Sequence, residues 1–223
     1  MTLKDKDLII VIPAHNEEKN LKIVINRFKK FSQTLIVNDC SNDKTKKISK
    51  KYADFYLENK KKLGYDLSLR KGIKYVLNNL SNKEFILTCD ADGQHTPDKL
   101  KKLLRKIKKP GCSIVIASRK EFNRFSEKLV SIFSRIFLNI RDPYTGMKVY
   151  KAKNIKNEFM KLSIKSDTIG LFFLMICKNN EIEEEIISTK VKNKASSFGN
   201  GIFINIKLLY IFFKIYFINL LKK

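Results

Sequence analysis

Apolar runs rich in β-branched residues recur in this sequence, and each breaks off into polar residues followed by a helical pattern. Leu8-Ile9-Ile10-Val11-Ile12 ends at Pro13, then comes Ala14-His15-Asn16-Glu17-Glu18 and an amphipathic stretch through Phe28. Leu35-Ile36-Val37 ends in Asn38-Asp39-Cys40-Ser41-Asn42-Asp43-Lys44-Thr45. Phe85-Ile86-Leu87-Thr88 ends in Cys89-Asp90-Ala91-Asp92-Gly93-Gln94-His95. A short run that is apolar at every position has no solvent face, so it reads as a strand covered on both sides. Strand, polar loop and helix in repetition is the pattern of an open α/β sheet. Ligands of such sheets sit outside the carboxyl ends of the strands. Glu17, Asp39, Asp90 and Asp92 fall at those ends.

Asp90 and Asp92 are two residues apart at a strand end, so both carboxylates can face one small hard cation. Aspartate oxygens suit Mg²⁺ or Mn²⁺ rather than zinc or copper. Such a cation bridges nucleotide phosphates and stabilises charge on a diphosphate leaving group.

The pattern predicts strands at 8–13, 34–38, 54–57, 84–89 and 112–118, and helices at 17–31, 42–51, 66–79 and 97–108. Thr96-Pro97 is a cap followed by proline at the first helical position, and Lys108-Lys109-Pro110-Gly111 is a stop. Residues 121–140 are amphipathic, with Phe122, Phe125, Leu129, Ile132, Phe133, Ile136 and Phe137 at three- and four-residue steps. That stripe fits either the core or a lipid-facing helix. A helix is expected over 166–179 and a strand over 182–191.

Residues 202–221 are apolar and aromatic, broken by Asn205, Lys207, Lys214 and Asn219. At ~1.5 Å per residue the segment is long enough to span a bilayer. Two lysines near the centre of a span cost roughly 2.5–3.5 kcal/mol each. A helix lying in the interface avoids that cost by sending its lysines to the headgroups. Packing on the domain or on a second copy, as a homodimer, is the competing reading. The expected organisation is therefore one α/β domain over 1–200 and a C-terminal apolar helix over 201–223.

The chain has 223 residues, with 46 basic against 22 acidic side chains and a net charge of +24. That charge calls for an anionic partner: nucleic acid, a membrane surface or phosphorylated substrates. The lysines are spread over most segments and no nucleic-acid-binding motif is present, so nucleic acid is not the expected partner. Cys40, Cys89, Cys112 and Cys177 form no C-x-x-C pair. Cys89 and Cys112, in or beside apolar strands, read as buried free thiols in a reducing compartment.

Four segments carry a resemblance. PAHNEE at Pro13–Glu18, VNDCSNDKT at Val37–Thr45, DADGQHTP at Asp90–Pro97 and ASR at Ala117–Arg119 resemble glycosyltransferase family 2. DPYTGMKVY at Asp142–Tyr150 is similar to a segment of polyprenyl-phosphate sugar transferases such as dolichol-phosphate mannose and glucose synthases. The resemblance covers roughly residues 7–200. It implies an α/β, GT-A (Rossmann-like) fold, with a mixed, mostly parallel sheet flanked by helices.

The resemblance also implies site roles. Pro13, His15, Glu17, Val37 and Asp39 would line the base and ribose pocket. Asp90, Ala91 and Asp92 would meet the diphosphate, and Asp90, Asp92 and Gln94 would hold Mg²⁺ or Mn²⁺. Arg119 would contact the diphosphate or the lipid phosphate, Asp142 would orient the acceptor, and Lys148 would bind its phosphate. Asp92, Arg119 and Asp142 are the expected catalytic residues. The implied enzyme is an inverting, metal-dependent hexosyltransferase. It would use a nucleoside-diphosphate sugar and polyprenyl (dolichyl) phosphate, peripherally at the cytoplasmic face of the membrane. A glycan acceptor is the alternative. The sequence departs from the pattern at Asn38, where relatives carry Asp. It departs again at Asp66, where they carry Gly, and over Lys194–Gly199, where the usual arginine and lysine are not in place.

Overall fold

The computed structural model of the protein describes residues 6–122, 124–161, 169–177, 181–189 and 202–220. One seven-stranded sheet runs in the order β3 (Phe55–Glu58), β2 (Gln33–Asn38), β1 (Leu8–Ala14), β4 (Phe85–Thr88), β6 (Lys148–Lys151), β5 (Ile114–Arg119), β7 (Ile182–Ile187). All pairings are parallel except those of β6, which runs antiparallel between β4 and β5. The expected mixed, mostly parallel sheet is present.

Every residue of β1 is buried. Ile9 and Val11 pack with α3 (Tyr65–Asn79), while Leu8, Ile10 and Ile12 pack with α1 (Leu21–Phe28) and α4 (Leu100–Ile107). Two covered faces explain why the strand sequence does not alternate. Each such side chain contributes about 1.5–3 kcal/mol by burial, so truncating Ile10 to Ala would cost about 2–5 kcal/mol. At Gly72 of α3 an added Cβ would fall 2.5 Å from Val11 Cγ1, so only glycine lets the helix lie this close to β1.

The helix expected from residue 17 begins at Leu21. Residues 17–20 turn instead, because the Glu17 amide donates across to Thr45 Oγ1 at 2.8 Å, at the start of α2 (Thr45–Tyr52). The helix expected over 97–108 opens as a 3-10 turn at Pro97–Lys99 before α4. Strand β6 and helix α6 (Ala152–Lys161) were not expected. The helix expected over 166–179 is α7 (Ile169–Ile176), and residues 166–168 and 178–179 lie outside the described residues. The strand expected over 182–191 is β7, with 190–191 outside them, as is the 194–199 segment.

The amphipathic stretch at 121–140 forms α5 (Phe125–Leu138), and the apolar segment forms α8 (Ile202–Leu220). They pack on each other through Phe133–Phe213, with ring centroids 5.0 Å apart, and Phe137–Tyr216, 4.7 Å apart. Ile211 and Phe212 of α8 are buried in the core. The opposite side of α8 exposes Phe203, Ile206, Lys207, Tyr210, Lys214, Phe217 and Ile218 at helical spacing. On α5, Phe125, Lys128, Ile132, Arg135 and Ile136 form a matching exposed stripe. Among the described residues no helix is long and apolar enough to cross a membrane.

Candidate active site

The loops after β1 and β2 are laced together. The Asn16 amide donates to Ser41 Oγ at 3.0 Å, and the Asn42 amide returns a bond to Asn16 Oδ1 at 2.9 Å. The Glu18 amide donates to Asp43 Oδ2, and the Lys44 amide to Glu18 Oε2, both at 3.1 Å. Asn16 and Cys40 adopt left-handed φ values of 54°, which lets the two turns face each other. Glu17 accepts from Asn20 Nδ2 at 3.0 Å. The His15 ring donates from Nδ1 to the Asp39 carbonyl at 2.7 Å, fixing the orientation of the imidazole. Pro13 and Val37 are opposite each other in the β1–β2 register, and both are buried.

Asp39 is buried at the end of β2. Its Oδ1 accepts from Asn59 Nδ2 at 2.9 Å and the Leu63 amide at 2.8 Å, and Oδ2 accepts from the Gly64 amide at 2.8 Å. Burial pushes its pKa up, but these donors outweigh burial and hold it below the usual carboxylate range. Gly64, at φ 90°, turns its amide onto that carboxylate at the start of α3. Asp39 therefore locks the β3–α3 loop onto the end of β2. Asp66, the departure from the glycine pattern, accepts from the amide of Ile169 at 3.1 Å at the start of α7.

Asp90 and Asp92 follow β4, with Ala91 buried between them. Asp92 Oδ1 accepts from the Gln94 amide at 3.0 Å, which curls the turn back. Asp90 packs onto the backbone of Gly146, where an added Cβ would fall 2.2 Å from Asp90 Oδ1. His95 is buried with Nδ1 3.6 Å from Asp90 Oδ2, and Nδ1 has no hydrogen-bond partner among the described residues. The buried Tyr65 hydroxyl also lies beside Asp90, and its pKa is pushed up by burial and by that charge. Among the described residues, no three His, Cys, Asp and Glu side chains form a metal cluster. Two aspartates at a strand end fit a divalent ion of the Mg²⁺ class, which takes one or two carboxylates and completes its shell with water and substrate phosphates.

A strap of five residues, Asp142 to Gly146, crosses from β5 to β4. At one end Asp142 is 1% exposed and takes the Arg119 fork, Nε at 2.7 Å and Nη2 at 2.9 Å. At the other end the Gly146 carbonyl accepts from Thr88 Oγ1 at 2.8 Å. In the middle the Tyr144 hydroxyl donates to the Leu208 carbonyl of α8 at 2.5 Å. Arg119 Nη1 reaches the buried Glu127 of α5 at 3.3 Å, and Arg124 reaches the same oxygen at 3.0 Å. Burial alone would lower the Arg119 pKa, but Asp142 and Glu127 reverse this and keep the guanidinium charged.

Lys148, expected to bind the acceptor phosphate, is buried at the start of β6 and donates to the Thr145 carbonyl. Burial draws its pKa down to about 8, with Arg119 acting in the same direction and Asp142, Asp90 and Asp66 opposing. Its ammonium holds the strap through that carbonyl. The Arg119 fork, expected to contact the diphosphate or the lipid phosphate, is held by Asp142. Cys89 and Cys112 are buried free thiols, and burial raises both pKa values.

The structure thus gathers the expected residues along one edge of the sheet. His15 and Glu17 follow β1, Asp39 follows β2, Asp90, Asp92 and Gln94 follow β4, and Arg119 ends β5 against Asp142. Sequence reasoning missed Glu127 and Glu184, which brace Arg119 and the Arg141–Asp142 entry to the strap. The only signal for Glu127 was its position, one helical turn past Arg124.

A family model for Glycosyl transferase family 2 matches residues 9–180. The chain is 26% identical to UDP-N-acetylglucosamine–dolichyl-phosphate N-acetylglucosaminyltransferase of Methanococcus voltae, over 93% of this chain and 95% of that protein. It is 30% identical to dolichol-phosphate mannosyltransferase of Pyrococcus furiosus, over 74% of this chain and 50% of that protein. Its fold is similar to the crystal structure of glucosyl-3-phosphoglycerate synthase from Mycobacterium tuberculosis in complex with Mn²⁺, UDP and glucosyl-3-phosphoglycerate. There the TM-score is 0.72 at 11% identity, covering 94% of this chain and 80% of that one. At that identity the likeness concerns the fold, the GT-A arrangement.

Proposed function

The chain belongs to glycosyl transferase family 2, and from that premise we propose that it moves a hexose from a nucleoside-diphosphate sugar to polyprenyl phosphate with inversion at the anomeric carbon. That it is a hexosyltransferase follows from the family and its relatives. The donor, the acceptor and the stereochemistry are the proposal. One observation carries the acceptor: the strap at the end of the site is bonded to α8, whose exposed face, with that of α5, mixes apolar and cationic side chains. Relatives named for dolichyl phosphate support the same acceptor class.

In this reading the laced loops and Asp39 seat the base and ribose. An oxygen of the lipid phosphate forms the new bond to the anomeric carbon as the bond to the diphosphate breaks on the opposite side. The nucleoside diphosphate leaves with that electron pair. No side chain needs to remove a proton, because a phosphate monoester with a second pKa of ~6 is already largely ionised at neutral pH. Asp90, Asp92 and Gln94 would hold Mg²⁺ or Mn²⁺, which when bound offsets charge on the diphosphate. Asp142 orients Arg119 at the acceptor end, and Lys148 supports the strap from within.

The α5–α8 face lies on the cytoplasmic side of a membrane in this proposal. Lys128, Arg135, Lys207 and Lys214 then meet anionic headgroups, at roughly 1 kcal/mol each near the surface. The apolar residues between them enter the interface. A homodimer through this face is the alternative cover.

The test is a panel of nucleotide sugars incubated with the full chain, polyprenyl phosphate and Mg²⁺ or Mn²⁺, with products read by mass. A sugar–phosphate–lipid product is expected, lost in excess chelator and in Asp92→Ala. Nucleotide-sugar turnover that is indifferent to lipid phosphate would instead favour a glycan acceptor.

A further inference from the structure

We infer that Glu184 of β7 is a positioning residue for the acceptor end of the site: it holds the backbone of Arg141 and Asp142 so that the Asp142 carboxylate meets the Arg119 fork. The inference rests on the proposed function for its catalytic consequence, though not for its geometry. Glu184 Oε1 and Oε2 accept from the Arg141 amide at 2.9 and 3.0 Å, and Oε1 also accepts from the Asp142 amide at 3.3 Å. Ser118 Oγ donates to the same Oε1. Two successive amides entering the strap are thus satisfied by one carboxylate rather than by a ladder. Bonds from amides to an ionised carboxylate are about twice as strong as neutral ones.

The sheet explains why this glutamate and not its neighbours. Glu184 pairs with Ile116 of β5, whose end carries Arg119. Side chains alternate along a strand, so Glu183 and Glu185 turn to the other face. There they meet lysines on and just after α4, Glu183 with Lys109 at 2.6 Å and Glu185 with Lys106 at 3.1 Å. Glu184 alone turns toward the strap. It lies beyond residue 180, where the family match ends.

The experiment compares the full-length wild type with Glu184→Gln and, as a control on the opposite face, Glu183→Gln. Glutamine keeps the shape but replaces one acceptor with a donor facing backbone amides. Hydrogen exchange at residues 141–142 should quicken by ~10-fold or more in Glu184→Gln alone, with the rest of the sheet unchanged. Transfer efficiency for the lipid acceptor should fall by ~10-fold, while KM for the sugar nucleotide stays within about twofold. Unchanged exchange at 141–142 would overturn the inference. So would donor and acceptor kinetics that decline together with the melting temperature, the pattern of a purely structural latch. The exchange measurement needs no substrate. Absent lipid transfer by the wild type would therefore defeat the proposed function and leave Glu184 separately decided.

Discussion

Arg119 and Asp142 form a two-pronged ion pair, and the Arg119 amide adds a third bond, to Oδ2 at 3.0 Å. A planar fork matched to a carboxylate cannot be reproduced by an ammonium. Arg119→Lys should therefore lower transfer by ~10-fold, about 1.4 kcal/mol in the barrier. Asp142→Ala should also destabilise the fold by about 1.5–3 kcal/mol, because it removes both prongs of the pair and leaves the half-buried guanidinium with Glu127 alone. Steady-state transfer and denaturant unfolding check both. A lysine variant with the wild-type rate would remove the pair from the site.

Gly146 and Asp90 approach so closely that a methyl group at residue 146 must move the carboxylate. The obstacle is the tip of a side chain, so the fold can yield. Gly146→Ala should keep a melting temperature near that of the wild type. It should lose ~10-fold or more in Mn²⁺-dependent nucleotide affinity, measured by titration calorimetry, about 1.4 kcal/mol. Unaltered affinity would show that this rotamer of Asp90 is not the one that matters.

Parts of this arrangement were legible in the sequence, and the physics separates them from the rest. Strands β1, β2, β4 and β5 announced themselves because both of their faces are covered, leaving unbroken apolar runs. β6 did not, since Lys148-Val149-Tyr150-Lys151 has lysines at both ends. A buried lysine mid-sheet is readable only once its carbonyl partner is known. The position of Asp90 and Asp92 just past a strand was legible from the apolar run that precedes them. Glu184 was not, because three successive glutamates look alike until pairing with β5 decides which one faces the strap. The stripe on α5 admitted two readings. The helix has both faces, with Val130 in the core and Ile132 exposed.

Lys148 gives a pH signature. Its pKa of about 8 in the fold lies below the ordinary 10.5, so burial penalises the charged form. Below pH ~8 both the folded and unfolded chains carry the proton, and the penalty is fully present. Between ~8 and ~10.5 the unfolded chain binds more protons, so stability rises with pH. Relative to Lys148→Met, the wild type should gain about 3 kcal/mol across that window, measured by urea unfolding at successive pH values. A flat difference would mean that the amine stays protonated throughout.

The exposed stripe of α8 is best tested by point variants. Deleting the helix would uncover Phe212, which is 0% exposed, and disturb α5. Phe203, 88% exposed, together with Ile206 and Phe217, can be changed to Ser without touching the core. The triple variant should remain folded but float poorly with anionic liposomes, and high salt should weaken the wild type's flotation. A wild-type chain that stays off liposomes and sediments as a dimer would assign this face to a second copy.

The bond from Tyr144 to the Leu208 carbonyl also sets an order of disassembly. The loops after β1 and β2 are laced to one another, inside the parallel part of the sheet, whereas the strap borrows part of its restraint from α8. Regions held by fewer internal bonds open at lower free energy than the global transition. As denaturant rises, α8 should loosen from α5 before the sheet melts. The protein would then pass through a state that still captures nucleotide but no longer hands on its sugar.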